Sequence, residues 1–366
     1  MNVEPKPSAA GQPKVAVRKE LVELLRAHPE AARTPEQRRA VQAILSCRTL
    51  HRGGHLYYCA PCGKTHFAYH SCHHRACPQC GALKAADWLA QRNVRLLPVP
   101  YFLLTFTVPA QLRALFKAAP QFAYDRLFAA SAQALREVAL RKLDGEPAAL
   151  GVLHTWSRQL VFHPHVHYIV PGGFLSPNQL RWIRLKHPQF LLPEKVLSRR
   201  VRNVFRQRLQ AQEPGLWNTV PPSVWRAEWV VNTQPVGSGQ AALGYLAAYV
   251  QRTALWAQRI VRQEHGRTTF RYRHSDTGAW KLLTLATPEF LRRFLQHVLP
   301  AGFHRVRYFG WWSPAAQARW QRVLALLDWK EPPPAPPRPV WVKRCPGCGR
   351  PMLRVAPLAR LPYKPP

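Results

Sequence analysis

Two short cysteine knuckles constrain this chain more than any other feature in it. Cys59-Ala-Pro-Cys62-Gly and Cys77-Pro-Gln-Cys80-Gly are separated by fourteen residues, a spacing at which two tight turns each present two thiolates to one tetrahedral Zn²⁺. Four thiolates leave no coordination position open to a substrate, so the ion is expected to be structural. Cys47 and Cys72 fall in the same segment together with His55, His66, His70, His73 and His74. They leave two readings open: a second zinc, or free thiols among solvated histidines. The remaining pair, Cys345-Pro-Gly-Cys348-Gly, is followed by no Cys or His. It must take ligands from elsewhere or stay empty. Close CxxC pairs in a chain of this length point to metal in a reducing compartment rather than to a disulfide framework.

The charge balance sets the class of partner. The chain has 53 Lys and Arg against 18 Asp and Glu, a net charge of +35 over 366 residues. Hydrophobic residues make up 47% of it, enough to build real cores, so this is not a disordered cationic tail. A folded surface so positive calls for a polyanion. Nucleic acid is the first candidate, because each neutralised phosphate releases counterions, and an anionic membrane surface is the competitor. No apolar run approaches the ~18 to 20 residues of a membrane span, and residues 1–30 lack the apolar core of a signal peptide. A cytoplasmic, nucleoid-associated protein without a membrane partner is expected.

Periodicity divides the chain. Residues 1–17 are expected to be disordered, and 18–95 to form a helical and zinc-binding N-terminal domain, with apolar stripes at Leu21, Leu24, Leu25 and at Val41, Ile44, Leu45. A central domain over 96–330 follows. It has strands near 101–108, 152–156, 166–170 and 228–232, long helical stretches over 110–142 and 193–211, a helix predicted over 240–261, a hairpin over 270–285 and a helix over 289–298. The segment 331–340 is a Pro-rich extended linker, and 341–366 is a basic tail carrying the last knuckle.

Three groups in the central domain carry chemistry. In His163-Pro-His165-Val166-His167, strand alternation puts His165 and His167 on one face, where together they can hold an ion and leave positions for water and substrate oxygens. In Tyr245-Leu-Ala-Ala-Tyr249 the two phenols stack one turn apart on a helix, a pattern that in most proteins is core packing. An activated phenol can attack a metal-polarised phosphate. Arg199, Arg202 and Arg206 share one helix face, and Arg252 follows the tyrosines; these are the candidate DNA contacts.

Taken in order, the cysteine cluster, LHTWSRQLVFHPHVHYIVPGG, YLAAYVQR, EFLRRFLQHVLPAGFHRVRYFG and RCPGCGRPM resemble the rolling-circle transposases of the insertion-sequence-ninety-one type, in the two-tyrosine class of the HUH endonuclease superfamily. The resemblance runs from about residue 18 to the C-terminus. It implies an α+β fold, with an HUH-type antiparallel sheet flanked by helices and preceded by the small helical and zinc-binding domain. It further implies Mg²⁺ or Mn²⁺ on His165 and His167, with nucleophiles at Tyr245 and Tyr249. It implies that single-stranded DNA is cut through a 5′-phosphotyrosine, with no small-molecule cofactor, and leaves a homodimer open. Gln251 and Gln234 depart from the family pattern, where His and Lys are usual. The third metal ligand is open among His154, Gln159 and His163, with His154 favoured by its place in the neighbouring strand. A replication initiator using the same chemistry and a non-catalytic zinc-dependent nucleic-acid-binding protein are the competing readings.

Overall fold

The computed structural model describes residues 18–80, 82–250, 259–274, 276–334, 336 and 342–362, with backbone only at 18, 19, 82, 83, 248 and 249. The N-terminal part opens with helices α1 (Arg18–Ala27) and α2 (Pro35–Ser46). Thr34 and Gln37 form a capping box at the start of α2, and Pro35 occupies its first turn, where no amide hydrogen is needed. Strands β1 (Gly54–Cys59) and β2 (Lys64–Tyr69) then pair as a hairpin, and α3 (Ala82–Asn93) leads out. The Cys/His-dense stretch, which has no clear periodicity in sequence, therefore contains regular structure.

The centre of the molecule is an antiparallel sheet ordered β12-β4-β5-β3-β8. Its strands are β3 (Tyr101–Thr107), β4 (Ala149–Trp156), β5 (Phe162–Pro171), β8 (Val230–Pro235) and β12 (Val306–Phe309). Helices α4 (Arg113–Ala118) and α5 (Pro120–Leu143) lie between β3 and β4. After β5 come the small pair β6 (Gly173–Leu175) and β7 (Trp182–Arg184), then α6 (Glu194–Gln212) and α7 (Pro214–Trp217).

The two faces of the central sheet have different covers. Phe102, Leu104, Phe106, Val166 and Tyr168 face α5 and α6, against Leu127, Phe128, Leu197, Val201 and Phe205. Leu150, Val152 and Ile169 face the other way, against Ala242, Leu243 and Leu246 of α8 (Gln240–Val250). Trp311, Trp312 and Trp320 complete this second core, the last from α10 (Gln317–Leu326). At Gly310 the chain turns with φ of 64°, and a Cβ there would collide with the carbonyl oxygen of Pro147.

A third core joins parts far apart in sequence. Strands β9 (Ile260–Glu264), β10 (Arg267–Arg273) and β11 (Trp280–Ala286) form a meander, followed by α9 (Thr287–Leu295). Phe270, Phe290, Leu291 and Phe294 pack with Leu21, Leu25, Ile44 and Leu45. The N-terminal helices thus share a core with this meander. The helix expected over 240–261 is corrected here: it is described to Val250, residues 251–258 lie outside the described residues, and 260–264 is a strand. His265 and Gly266, both at positive φ (47° and 69°), form the two-residue turn that joins β9 to β10, the geometry of a tight hairpin.

The C-terminal segment returns to the start of the chain. Strand β13 (Leu353–Leu358) pairs antiparallel with β1, making a three-stranded sheet ordered β13-β1-β2. No helix among the described residues is long and apolar enough to cross a membrane.

Candidate functional site

Strand register builds the histidine cluster. On β5, His165 and His167 alternate with Val166 and so share the α8 side of the sheet; on β4, His154 lies directly opposite His165. One ring nitrogen from each of His154, His165 and His167 falls within 4.8 Å of the others. Of the three candidates for a third ligand, His154 is the one brought into this group. Gln159 instead donates its side-chain amide to the Tyr272 hydroxyl at 3.0 Å.

The three imidazoles are buried, at 2%, 8% and 9% exposure for His154, His165 and His167. Burial pushes the pKa of His165 down to about 4, and those of His154 and His167 well below the usual imidazole value. The rings are therefore neutral at physiological pH, the form that ligates a cation. Their orientation is fixed from behind. His165 Nδ1 donates to the backbone oxygen of His163 at 2.6 Å, which leaves its Nε2 lone pair as the ligating one. Thr105 Oγ1, on the adjacent strand β3, lies 2.8 Å from Nδ1 of His167. Trp156 stacks on His154 with ring centroids 5.6 Å apart. Neither Thr105 nor Trp156 stands out in the sequence. The β3–β5 register, which pairs Thr105 with His167, is the signal for the first.

Helix α8 carries Tyr245 over this cluster. Its ring centroid is 6.0 Å from that of His167, edge to face, and the residue is 45% exposed. The buried side of the helix is supplied by Leu243, Leu246 and Ala247. Tyr249 lies in the same helix, but its side chain is outside the described residues, as is the whole of Arg252. Arg199, Arg202 and Arg206 are on α6, on the opposite side of the sheet from the histidines. Arg202 donates to the Ala227 backbone oxygen at 2.7 Å, and Arg206 lies over the Trp217 ring.

The cysteines are grouped differently from the pairing of knuckles expected from spacing. Cys77 and Cys80 meet Cys47 and Cys72, with all four sulfurs within 4.8 Å. Cys47 and Cys80 Sγ are 3.3 Å apart, and Cys72 and Cys80 Sγ 3.5 Å. Cys59 and Cys62 are not in this group, for a geometric reason. They sit at the turn of the β1–β2 hairpin, whereas Cys47 precedes β1 and Cys72 follows β2, at the open end about six residues or ~20 Å away. Among the described residues no histidine joins this sulfur cluster; His55 and His70 instead pack edge to face, centroids 5.0 Å apart. A tetrahedral ion with Zn–S near ~2.3 Å places sulfurs about 3.8 Å apart, so the Cys47, Cys72, Cys77 and Cys80 set fits a closed structural zinc. Three imidazoles fit a first-row transition ion better than Mg²⁺, which favours oxygen ligands.

Comparison with known proteins gives two family matches. Residues 149–319 match the family described as "Putative transposase" and 17–108 the family described as "Transposase zinc-binding domain". "Putative transposase y4qJ" of Sinorhizobium fredii is 39% identical over 319 residues, covering 80% of this chain and 79% of that protein. "Transposase for insertion sequence element IS801" of Pseudomonas savastanoi pv. phaseolicola is 29% identical over 316 residues, 81% of this chain and 75% of that protein. No solved structure matches.

Proposed function

Because the chain belongs to the rolling-circle insertion-sequence transposases of the insertion-sequence-ninety-one type, we propose that it cuts and rejoins single-stranded DNA with Tyr245 as a nucleophile, beside a divalent cation held by His154, His165 and His167. The observation that carries this reading is Tyr245 standing over His167, half-exposed above buried neutral imidazoles. When bound, the cation supplies charge that stabilises the transition state at the scissile phosphate.

The chain's own residues do the rest. The exposure of Tyr245 lets a DNA strand reach its phenolic oxygen. That oxygen gives up its proton to solvent and bonds to phosphorus, the bond from phosphorus to the 3′-oxygen breaks, and the leaving oxygen takes up a proton. The products are a 5′-phosphotyrosine and a free 3′-OH. Rejoining is the same displacement reversed, with a 3′-OH as nucleophile. Tyr249, one helical turn further along α8, is the second nucleophile of this reading and holds a second strand end. Residues 96–330 carry the chemistry, and the zinc-binding N-terminal part together with the basic tail binds DNA. The positive charge supplies phosphate contacts, and stacking of unpaired bases on exposed aromatic rings favours single strands.

The test is incubation with labelled single-stranded oligonucleotides from the element's ends, with Mn²⁺, scoring a covalent conjugate. His165→Ala and His167→Ala should abolish the conjugate and leave DNA binding nearly intact. Tyr245→Phe should abolish it for at least one strand end, and the Tyr245→Phe, Tyr249→Phe double variant for both. A conjugate formed by the double variant refutes the tyrosine mechanism.

A further inference from the structure

The last knuckle, Cys345-Pro-Gly-Cys348-Gly, finds its partners at the other end of the chain. Pairing of β13 with β1, which sets Leu353 beside Tyr58, lays the Cys345–Cys348 turn against the Cys59–Cys62 turn. The four sulfurs of Cys59, Cys62, Cys345 and Cys348 fall within 4.8 Å of one another. Cys59 and Cys348 Sγ are 3.6 Å apart, and Cys62 and Cys345 Sγ 3.9 Å. These distances bracket the ~3.8 Å expected around a tetrahedral thiolate-bound zinc and are far beyond the ~2.05 Å of a disulfide.

The two turns are built alike. Each Cys-x-x-Cys is followed by a glycine in the left-handed region, Gly63 at φ 63° and Gly349 at φ 73°, which lets the chain fold back under the sulfurs. The Gly349 amide donates to the Cys345 backbone oxygen at 2.8 Å, and that of Cys345 to the Arg350 backbone oxygen at 2.9 Å. Backbone amides of Cys348 and Gly347 point at Cys345 Sγ. Cys59 and Cys345 are buried, at 0% and 2% exposure, together with Met352 in a small core of their own. That core is too small to hold a strand in place without help.

We propose that Cys59, Cys62, Cys345 and Cys348 form a second structural zinc site, separate from the Cys47 cluster, which clamps the segment carrying Cys345 and β13 onto the β1–β2 hairpin across 283 residues of sequence. The site takes a soft tetrahedral ion, needs one knuckle from each end of the chain, and is lost when either half is removed.

The experiment is zinc analysis of the purified protein with a matched set of variants. The unaltered chain should hold two zinc ions. The Cys345→Ser, Cys348→Ser variant and the Cys59→Ser, Cys62→Ser variant should each hold one, and the quadruple variant should also hold one, because the halves serve the same ion. Cys72→Ser should lose the other ion. Limited trypsin digestion reads the clamp in the unaltered protein: cleavage near Lys343 and Arg344 should be slow with zinc and fast after chelation. The proposal is overturned if the unaltered chain holds one zinc, if the Cys345→Ser, Cys348→Ser variant keeps two, or if chelation leaves the tail protected. Zinc content and digestion do not depend on DNA cleavage, so they stand or fall apart from the tyrosine mechanism.

Discussion

Replacing Thr105 by valine removes one hydrogen bond and almost no volume, and the loss should appear in cation affinity. Thr105 is half-buried on β3, and its hydroxyl lies 2.8 Å from Nδ1 of His167. With Nδ1–H donating to Oγ1, the Nε2 lone pair faces His154 and His165. A hydrogen bond from a neutral ring contributes about 0.5–1.5 kcal/mol, and one from a charged group about 1.5–3 kcal/mol. A bound cation draws charge from the ring and moves this bond from the first class towards the second. Binding therefore forfeits about 1–1.5 kcal/mol in the variant, or roughly tenfold at ~1.4 kcal/mol per decade, the lower end of what outer partners of metal ligands usually contribute. The assay is Mn²⁺ binding without DNA, followed by the resonance signal of the free ion, alongside the Mn²⁺ dependence of oligonucleotide cleavage. Half-saturating Mn²⁺ should rise about tenfold in both, with the rate at saturation changed about twofold or less. Unchanged Mn²⁺ affinity would show that the hydroxyl does not set the ring, and the argument fails.

Three other perturbations test separate parts of the structure. Gly310→Ala places a Cβ against the Pro147 carbonyl in a left-handed conformation and should cost about 3 kcal/mol, lowering the apparent melting temperature by roughly 5 °C or more; an unshifted melt contradicts the packing. Glu289 bonds Arg292 and Arg293, and the Arg292 contact first among them holds its pKa down at about 2. Its contribution is present above the unfolded value near 4.5 and lost as pH falls from there towards 2. With the carboxylate 34% exposed, screening leaves about 1 kcal/mol or less. Glu289→Gln should therefore lower the urea midpoint at pH 6 and leave it unchanged near pH 2, and an equal loss at both pH values would reject the ion-pair account. Arg199→Glu with Arg206→Glu should weaken binding of long single strands and reduce the salt slope by about 0.7 per lost phosphate contact. It should spare short oligonucleotides, since α6 is on the far side of the sheet from the histidines; equal weakening of both would place the strand elsewhere.

How much of this was legible in the sequence depended on whether the information was local. Alternation along 163–167 put His165 and His167 on one face, and a strand pair with a short connection placed His154 opposite, because antiparallel neighbours are set by a tight turn. The apolar residues around Tyr245 likewise marked a helix with a buried side. Thr105 was hidden because its role comes from a register between strands separated by two helices. The cysteine pairing was hidden for the same reason. Fourteen residues between knuckles suit one zinc, but the first knuckle is the turn of a hairpin whose second strand carries the chain back to the open end before the second knuckle, and the partner of Cys62 lies 283 residues away. The strand at 260–264 had a local signal in His265-Gly266, a dipeptide suited to a two-residue turn, which the preceding apolar helix pattern masked.

The position of β13 also bears on how the protein is made. Strand β1, at 54–59, is synthesised well before the strand that covers its second edge, at 353–358. At about 5–20 residues per second, translation takes roughly 15 to 60 seconds to span that interval. Throughout it, β2 is the one partner of β1 in the finished sheet that has been made, and an open edge of this kind can recruit a strand from a neighbouring nascent chain on the same message. A polysome crowded with copies thus favours chain-to-chain pairing, while sparse translation lets each chain wait for its own β13.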